Sequence, residues 1–173
     1  MGGKLRGLAA RGRPWSGRRA VRQLCFSAVR GLVQRVSEAS VSVDGVVVGK
    51  IGAGLCTLVG VGCEDDDKAA DRLAAKIWQL RLFPDDTGNM NRSAEELGLA
   101  VLVVSQFTLY ADTTRGRRPS FTKAAAPEVA KPLVERVVAQ LRAAGAEVAT
   151  GHFGAMMEVS LVNQGPVTLL VET

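Results

Sequence analysis

The chemistry this 173-residue chain can carry is concentrated in two short segments, Ser105-Gln106-Phe107-Thr108 and Asn163-Gln164-Gly165-Pro166-Val167-Thr168. The first opens a polar cluster, continuing through Leu109-Tyr110-Ala111-Asp112, that leaves the apolar run Val101-Leu102-Val103-Val104. The second sets an X-Pro bond between two apolar runs, where a tight reversal is expected. A Gly-Pro step there can be cis, because the trans preference is only about 0.5–1 kcal/mol. Glycine accepts positive φ, so C=O and N–H groups can be aimed at a ligand with no side chain between. A plain hairpin turn would use the same residues.

Conventional hydrolytic machinery is nearly absent. A single histidine, His152, excludes a multi-histidine zinc site and leaves room for at most one Ser-His-Asp arrangement. The three cysteines, Cys25, Cys56 and Cys63, are odd in number and lack C-x-x-C spacing, which implies reduced thiols in a cytosol-like compartment. Cys56 and Cys63 lie in or beside an apolar strand with no activating partner, so they read as small core hydrophobes. Gly49, Gly52 and Gly54 are too loosely spaced for a phosphate-binding loop. Glu64-Asp65-Asp66-Asp67 cannot all face one ion, and reads instead as an acidic helix start that complements the macrodipole. No metal and no cofactor are expected.

The net charge of +5 suggests nucleic acid until it is located. Lys4, Arg6, Arg11, Arg13, Arg18, Arg19 and Arg22 fall in residues 1–28, which contain no acid. Of the 22 basic residues, 15 therefore remain against 17 acidic ones, and the rest of the chain carries −2. Any RNA contact must come from a local patch. The tail's Gly, Arg and Pro content suits disorder, and no apolar run in it is long enough for a membrane span or a signal-peptide core. Two origins stay open for residues 1–28: an organellar transit peptide, or a start placed too far upstream with the true one at Val29. The second is favoured, and with it a cytoplasmic protein.

The elements that must hold the two segments follow from periodicity. Short strands are expected at residues 32–36 and 40–43, with Asp44-Gly45 as a hairpin turn into residues 46–48, and a buried strand at residues 55–61. Ala69, Leu73, Ile77 and Leu80 recur at helical spacing, and a second helix runs over residues 127–144, with Pro132 near its first turn and Gly145 as its stop. Strands at residues 147–149, 155–162 and 167–171 close the chain. Together they predict one mixed α/β domain at residues 29–173, with a largely antiparallel sheet and two helices packed on one side. A core of this size needs no staple.

The segments Ser105-Gln106-Phe107-Thr108-Leu109-Tyr110-Ala111-Asp112 and Asn163-Gln164-Gly165-Pro166-Val167-Thr168 together resemble the D-aminoacyl-tRNA deacylases. So do the stretch from Val33 to Gly45, Gly116-Arg117-Arg118-Pro119-Ser120-Phe121 and Thr150-Gly151-His152-Phe153-Gly154-Ala155. The resemblance covers residues 29–173. It implies a homodimeric fold whose sheet is barrel-like, and an enzyme that hydrolyses the ester of D-aminoacyl-tRNA, and of glycyl-tRNA, while sparing L-aminoacyl-tRNA, as proofreading in translation. A non-enzymatic nucleic-acid-binding accessory protein of the same fold is the alternative.

An aminoacyl ester is already labile, so orientation and backbone N–H groups can suffice for its hydrolysis. The resemblance makes Ser105, Gln106, Phe107 and Thr108 the reaction pocket, with the substrate's 2′-hydroxyl assisting attack. Thr108 is either a nucleophile or a hydroxyl that bonds substrate or pocket wall. Gly165 and Pro166 match a Gly-cisPro motif that enters the partner subunit's active site and excludes L side chains. Arg35 matches a residue that braces that motif, the other reading being a solvated strand arginine. Phe153 would stack near the terminal adenine or fill the core, while His152 falls where the family fixes no residue. Arg115, Arg117 and Arg118 are either a grip on the acceptor-stem phosphates or solvated loop arginines.

Overall fold

Alternating valines carry the chain from Arg30 through a single 14-residue strand, β1 (Arg30–Val43), where two strands were expected. Val33, Val36 and Val41 are fully buried, and Ser37 and Glu38 form an exposed irregularity in mid-strand, so a change of register stands where the periodicity suggested a break. The structure is a computed structural model, and it describes residues 28–114 and 116–173. β1 is its spine. On one side it pairs antiparallel with β2 (Val46–Ile51) and then with β3 (Gly54–Gly60). On its other side it pairs over nearly its full length with β8 (Glu158–Glu172).

β6 (Ala100–Ser105) is parallel to β3, and β7 (Val148–Thr150) is parallel to β6. The sheet therefore runs β2-β1-β3-β6-β7, with β8 added to β1. Antiparallel pairing therefore dominates around β1 and parallel pairing on the β3-β6-β7 side. β2 bends across towards β7, so closely that a Cβ on Gly49 would lie 2.6 Å from the Thr150 carbonyl oxygen. Only glycine permits that approach, and it nearly closes the sheet into a barrel.

Both faces of the central strands are covered, which explains their unbroken apolar runs. Val101 and Val103 of β6 join Leu55 and Val59 in a core under the helices, whereas Leu102 and Val104 join Val36, Val41, Ile51 and Cys56 inside the barrel. Two long helices cover one side, as expected: α1 (Asp67–Gln79) and, later in the chain, α3 (Pro127–Ala143). Asp66 caps α1 by accepting from the Ala69 N–H at 2.8 Å, so the acidic run is indeed a helix start. Arg136 of α3 grips Asp71 at 2.7 Å and Asp67 at 2.9 Å, which holds the Asp71 carboxyl below its usual range. α3 runs unbroken through Pro132, in its second turn, and stops before Gly145, at φ 94°.

Two elements went unforeseen, the hairpin β4 (Arg81–Pro84) with β5 (Met90–Ser93), and the third helix, α2 (Ala94–Leu97), a single turn. Asp85 shapes the hairpin turn, accepting from the Thr87 and Asn89 N–H groups, the Thr87 hydroxyl and Asn91 Nδ2. These bonds pull its carboxyl down to about 2. Ser93 and Glu96 form a reciprocal capping box on α2.

The expected reversal at Gly165-Pro166 is not there. Residues 158–163 and 168–172 both pair antiparallel with β1, so the chain keeps its direction. Between Asn163, opposite Val36, and Thr168, opposite Gln34, β8 advances five residues while β1 advances two. The surplus is extruded as an excursion. Proline fits because the ladder is already broken at that point.

Candidate active site

Ser105 ends β6 opposite Val59, and the Gln106 N–H bonds back to the Val59 carbonyl at 2.7 Å. The chain then tightens into a 3-10 turn, Phe107–Tyr110, which leaves Phe107 and Thr108 exposed, Ser105 and Gln106 half-buried and Tyr110 buried. The first hydrogen bond of the turn runs from the Leu109 N–H to the Gln106 carbonyl, so the N–H groups of Phe107 and Thr108 precede it and have no partner within the turn. Gln106 Nε2 donates to Thr108 Oγ1 at 2.5 Å. An amide donor cannot take the hydroxyl proton, so this contact orients Thr108 without activating it. The Phe107 ring meets Phe121 edge to face, 5.1 Å between centroids.

A cavity of about 430 Å³ opens beside Ser105, between β6, β7 and α3. Phe153 and His152 line it from the segment after β7, and Lys131 and Arg142 line it from α3. Phe153 is half-buried and packs against the helix-side core while it lines the cavity. His152 is exposed. Lys131 and Arg142 carried no sequence signal, since lysine and arginine on a helix are ordinarily solvated. Cys56 is buried, and desolvation raises its thiol to about 11, which keeps it uncharged, whereas Cys63, expected in the core, is exposed beyond the end of β3. Among the described residues no cluster of three His, Cys, Asp or Glu is gathered to hold a metal ion.

The excursion of β8 lies elsewhere. Gly165-Pro166 is cis, and Gly165 takes φ 127°, a conformation suited to glycine. Arg35 supports it from beneath, donating from Nε to the Gln164 carbonyl at 3.1 Å and from Nη1 to the Leu82 carbonyl at 2.6 Å. Asn163 closes the base: its Oδ1 accepts from the Val167 N–H at 2.9 Å, and its Nδ2 donates to Thr168 Oγ1 at 2.7 Å. Arg35 thus links the excursion to the β4 backbone through these two bonds. Gln164, Gly165 and Pro166 stay exposed.

Pairing registers separate this excursion from the Ser105 segment. Arg35 is level with Leu55 on β3, whereas Ser105 is level with Val59. Followed along the sheet, that is about 13 Å of strand plus three interstrand steps of about 4.8 Å. The sequence-predicted residues thus fall into two groups, Ser105, Gln106, Phe107, Thr108 and Phe153 in one, and Arg35, Gly165 and Pro166 in the other.

Arg117 and Arg118 are exposed in a loop closed by the Asp112–Ser120 bridge, while Arg115 lies outside the described residues. Asp112 stiffens the loop by accepting from the Thr114 hydroxyl and N–H, which holds its carboxyl below the usual range.

A family profile described as D-Tyr-tRNA(Tyr) deacylase matches residues 32–172. A protein of Roseiflexus castenholzii named D-aminoacyl-tRNA deacylase is 57% identical over 145 residues, 84% of this chain and 92% of that protein. A solved structure titled c-Myc DNA Unwinding Element Binding Protein superposes with a TM-score of 0.79 at 37% identity, covering 83% of this chain and 98% of that one. Another, described as a probable eukaryotic D-amino acid tRNA deacylase, covers 84% of this chain and 100% of that one with a TM-score of 0.72. At 19% identity this last likeness speaks for the fold alone.

Proposed function

The chain belongs to the D-Tyr-tRNA(Tyr) deacylase family, and on that premise we propose that it hydrolyses the ester bond of D-aminoacyl-tRNA to free D-amino acid and tRNA. The observation that carries the reaction is the 3-10 turn that opens at Phe107 and Thr108, whose N–H groups have no partner within it, directly after Ser105 on the wall of a cavity of about 430 Å³. Water adds to the ester carbonyl carbon, and the two N–H groups receive the charge that develops on its oxygen. The tetrahedral adduct then expels the ribose oxygen, which takes up the proton given up by the attacking water. Ser105 and Gln106 line the approach, Thr108 bonds the substrate, and Phe153 stacks on the terminal adenine.

A second copy completes the site. Gly165 and Pro166 protrude on a braced excursion, far along the sheet from their own chain's pocket, and β8 exposes Val159, Val162, Leu169 and Leu170 around them. These exposed apolar side chains lie on a strand paired on one side only, which calls for a partner, and a twofold pairing would carry each excursion into the opposite pocket. There, rigid backbone excludes the side chain of an L-aminoacyl ester. Glycine has hydrogen on both faces, so glycyl-tRNA is also hydrolysed. Arg117 and Arg118, with Arg115, hold acceptor-stem phosphates in a domain whose overall charge does not attract RNA. The enzyme works in the cytoplasm as a proofreader of translation. No helix among the described residues is long and apolar enough to cross a membrane.

Likeness to a protein titled as DNA-binding favours one other reading, a nucleic-acid-binding accessory protein without turnover. Single-turnover hydrolysis of D-tyrosyl-, L-tyrosyl- and glycyl-tRNA separates the two. The proposal expects release from the D and glycyl esters with the L ester spared. Binding of all three without hydrolysis would establish the accessory reading instead.

A further inference from the structure

The turn that presents Phe107 and Thr108 is fixed from behind by residues that no catalytic reading requires. Tyr110, its last residue, is 8% exposed, and its hydroxyl donates to the Ala28 carbonyl. Asp65 Oδ2 lies 3.2 Å from the same hydroxyl and accepts the Gly62 N–H at 2.7 Å. The ring rests on Gly62, where a Cβ would come within 2.9 Å of it, and the turn rests on Gly60, where a Cβ would lie 2.9 Å from the Gln106 carbonyl oxygen. Above the ring the Arg30 guanidinium sits 4.4 Å from the centroid. Arg30 Nη1 donates to the Leu109 carbonyl at 2.8 Å, and its Nε pairs with Glu172 at 2.7 Å. The turn is thus clamped between a glycine floor at the end of β3 and an arginine lid tied to the last residues of β8.

Resting on the deacylase reading, we propose that Tyr110 and Arg30 are positioning residues for the reaction pocket: they set the tilt of the 3-10 turn, and so the aim of the Phe107 and Thr108 N–H groups at the ester oxygen. Neither side chain reaches substrate. Arg30 fixes the turn through a main-chain carbonyl, and Tyr110 fixes it through the chain entering β1. Catalysis by main-chain donors is sensitive to such aim, because a donor displaced by about 1 Å can lose on the order of a hundredfold in rate. The clamp also reaches Ala28, so the tail read as running over residues 1–28 contributes its last carbonyl to it.

The test compares Tyr110→Phe, Arg30→Ala and Arg30→Lys with Arg136→Ala, which breaks only the ion pairs between α1 and α3. In single-turnover and steady-state hydrolysis of D-tyrosyl-tRNA, Tyr110→Phe and Arg30→Ala should lower kcat about tenfold or more, with KM within about twofold. Arg30→Lys should recover part of the loss, and Arg136→Ala should lower Tm while sparing kcat. Unchanged kcat in the two clamp variants, or an equal loss in Arg136→Ala, overturns the proposal. If the unaltered protein does not hydrolyse the D ester, the functional reading fails instead. The clamp is then judged by amide hydrogen exchange over residues 106–111. Faster exchange in Tyr110→Phe upholds it, and unchanged exchange refutes it.

Discussion

The pocket turn and the Gly165-Pro166 excursion are both made of main chain, yet they are held in opposite ways. The turn is pressed onto the end of the sheet, with Tyr110 buried and glycines beneath it because nothing larger fits. The excursion stands away from the sheet, carried by the Arg35 guanidinium and closed by the Asn163 amide, with its tip exposed. The first lies at the end of the sheet beside the cavity that Ser105 lines, and the second is an exposed excursion away from that cavity. On the proposed reading, the difference is that of two half-sites in one chain, which a second copy would bring together.

The comparison breaks most severely if the copies are parted. Replacing Val162 and Leu170 by Asp puts charge on exposed apolar positions of β8. Sedimentation should then find monomers, and deacylation should fall by about a hundredfold or more, since the pocket loses its chiral wall and its enclosure. A fully active monomer would remove the need for a partner.

A smaller effect should come from Arg35→Ala, which removes two charge-assisted hydrogen bonds, each worth about 1.5–3 kcal/mol. The excursion would loosen while the pocket turn stays in place. The ratio of D- to L-tyrosyl-tRNA hydrolysis should drop by about tenfold to a hundredfold, with less loss of D activity than of selectivity. Arg35→Lys should not rescue it, as an ammonium cannot reach both the Gln164 and Leu82 carbonyls at once.

The smallest effect lies in the β4–β5 turn, near the Leu82 carbonyl that anchors Arg35. Asp85 has a folded value of about 2 against an ordinary 3.8. Because the folded value is depressed, its stabilisation is fully present above the ordinary value and is lost as pH falls through about 2. Asp85→Asn should flatten the acid limb of the unfolding profile across that window, with deacylation at neutral pH unchanged. An unaltered acid limb would mean that the turn contributes nothing there.

Most of the scaffold was legible because its signals are local. Valine alternation marked β1, Leu55 to Val61 marked β3, and the acidic run before Ala69 marked the start of α1. The hairpin at Asp85 was missed although its turn residues are plain, because β4 and β5 have four residues each and little apolar periodicity. The reading of Gly165-Pro166 as a reversal failed for a different reason. A bulge and a hairpin use the same residues, and only the partner strand, 129 residues away at Arg35, decides between them. Ser105, Gln106, Phe107 and Thr108 could be recognised as a polar cluster leaving a buried strand. Lys131 and Arg142 on the cavity wall, and the clamp of Arg30 on Tyr110, exist only once helix and strand ends are brought together.

The division of the site between two copies is tested most directly by complementation. One variant, Gly165→Val, spoils the excursion, because a side chain there meets Arg35 and Val167. The other, Gln106→Ala with Thr108→Val, spoils the pocket turn. Each is assayed alone on D-tyrosyl-tRNA, and the two are then mixed, unfolded and refolded together. Random pairing makes half of the dimers mixed, each with one intact composite site, so activity should return to about a quarter of the unaltered protein's. If the mixture proves no more active than the separate variants although mixed dimers have formed, each chain must complete its own site, and the account of two half-sites is wrong.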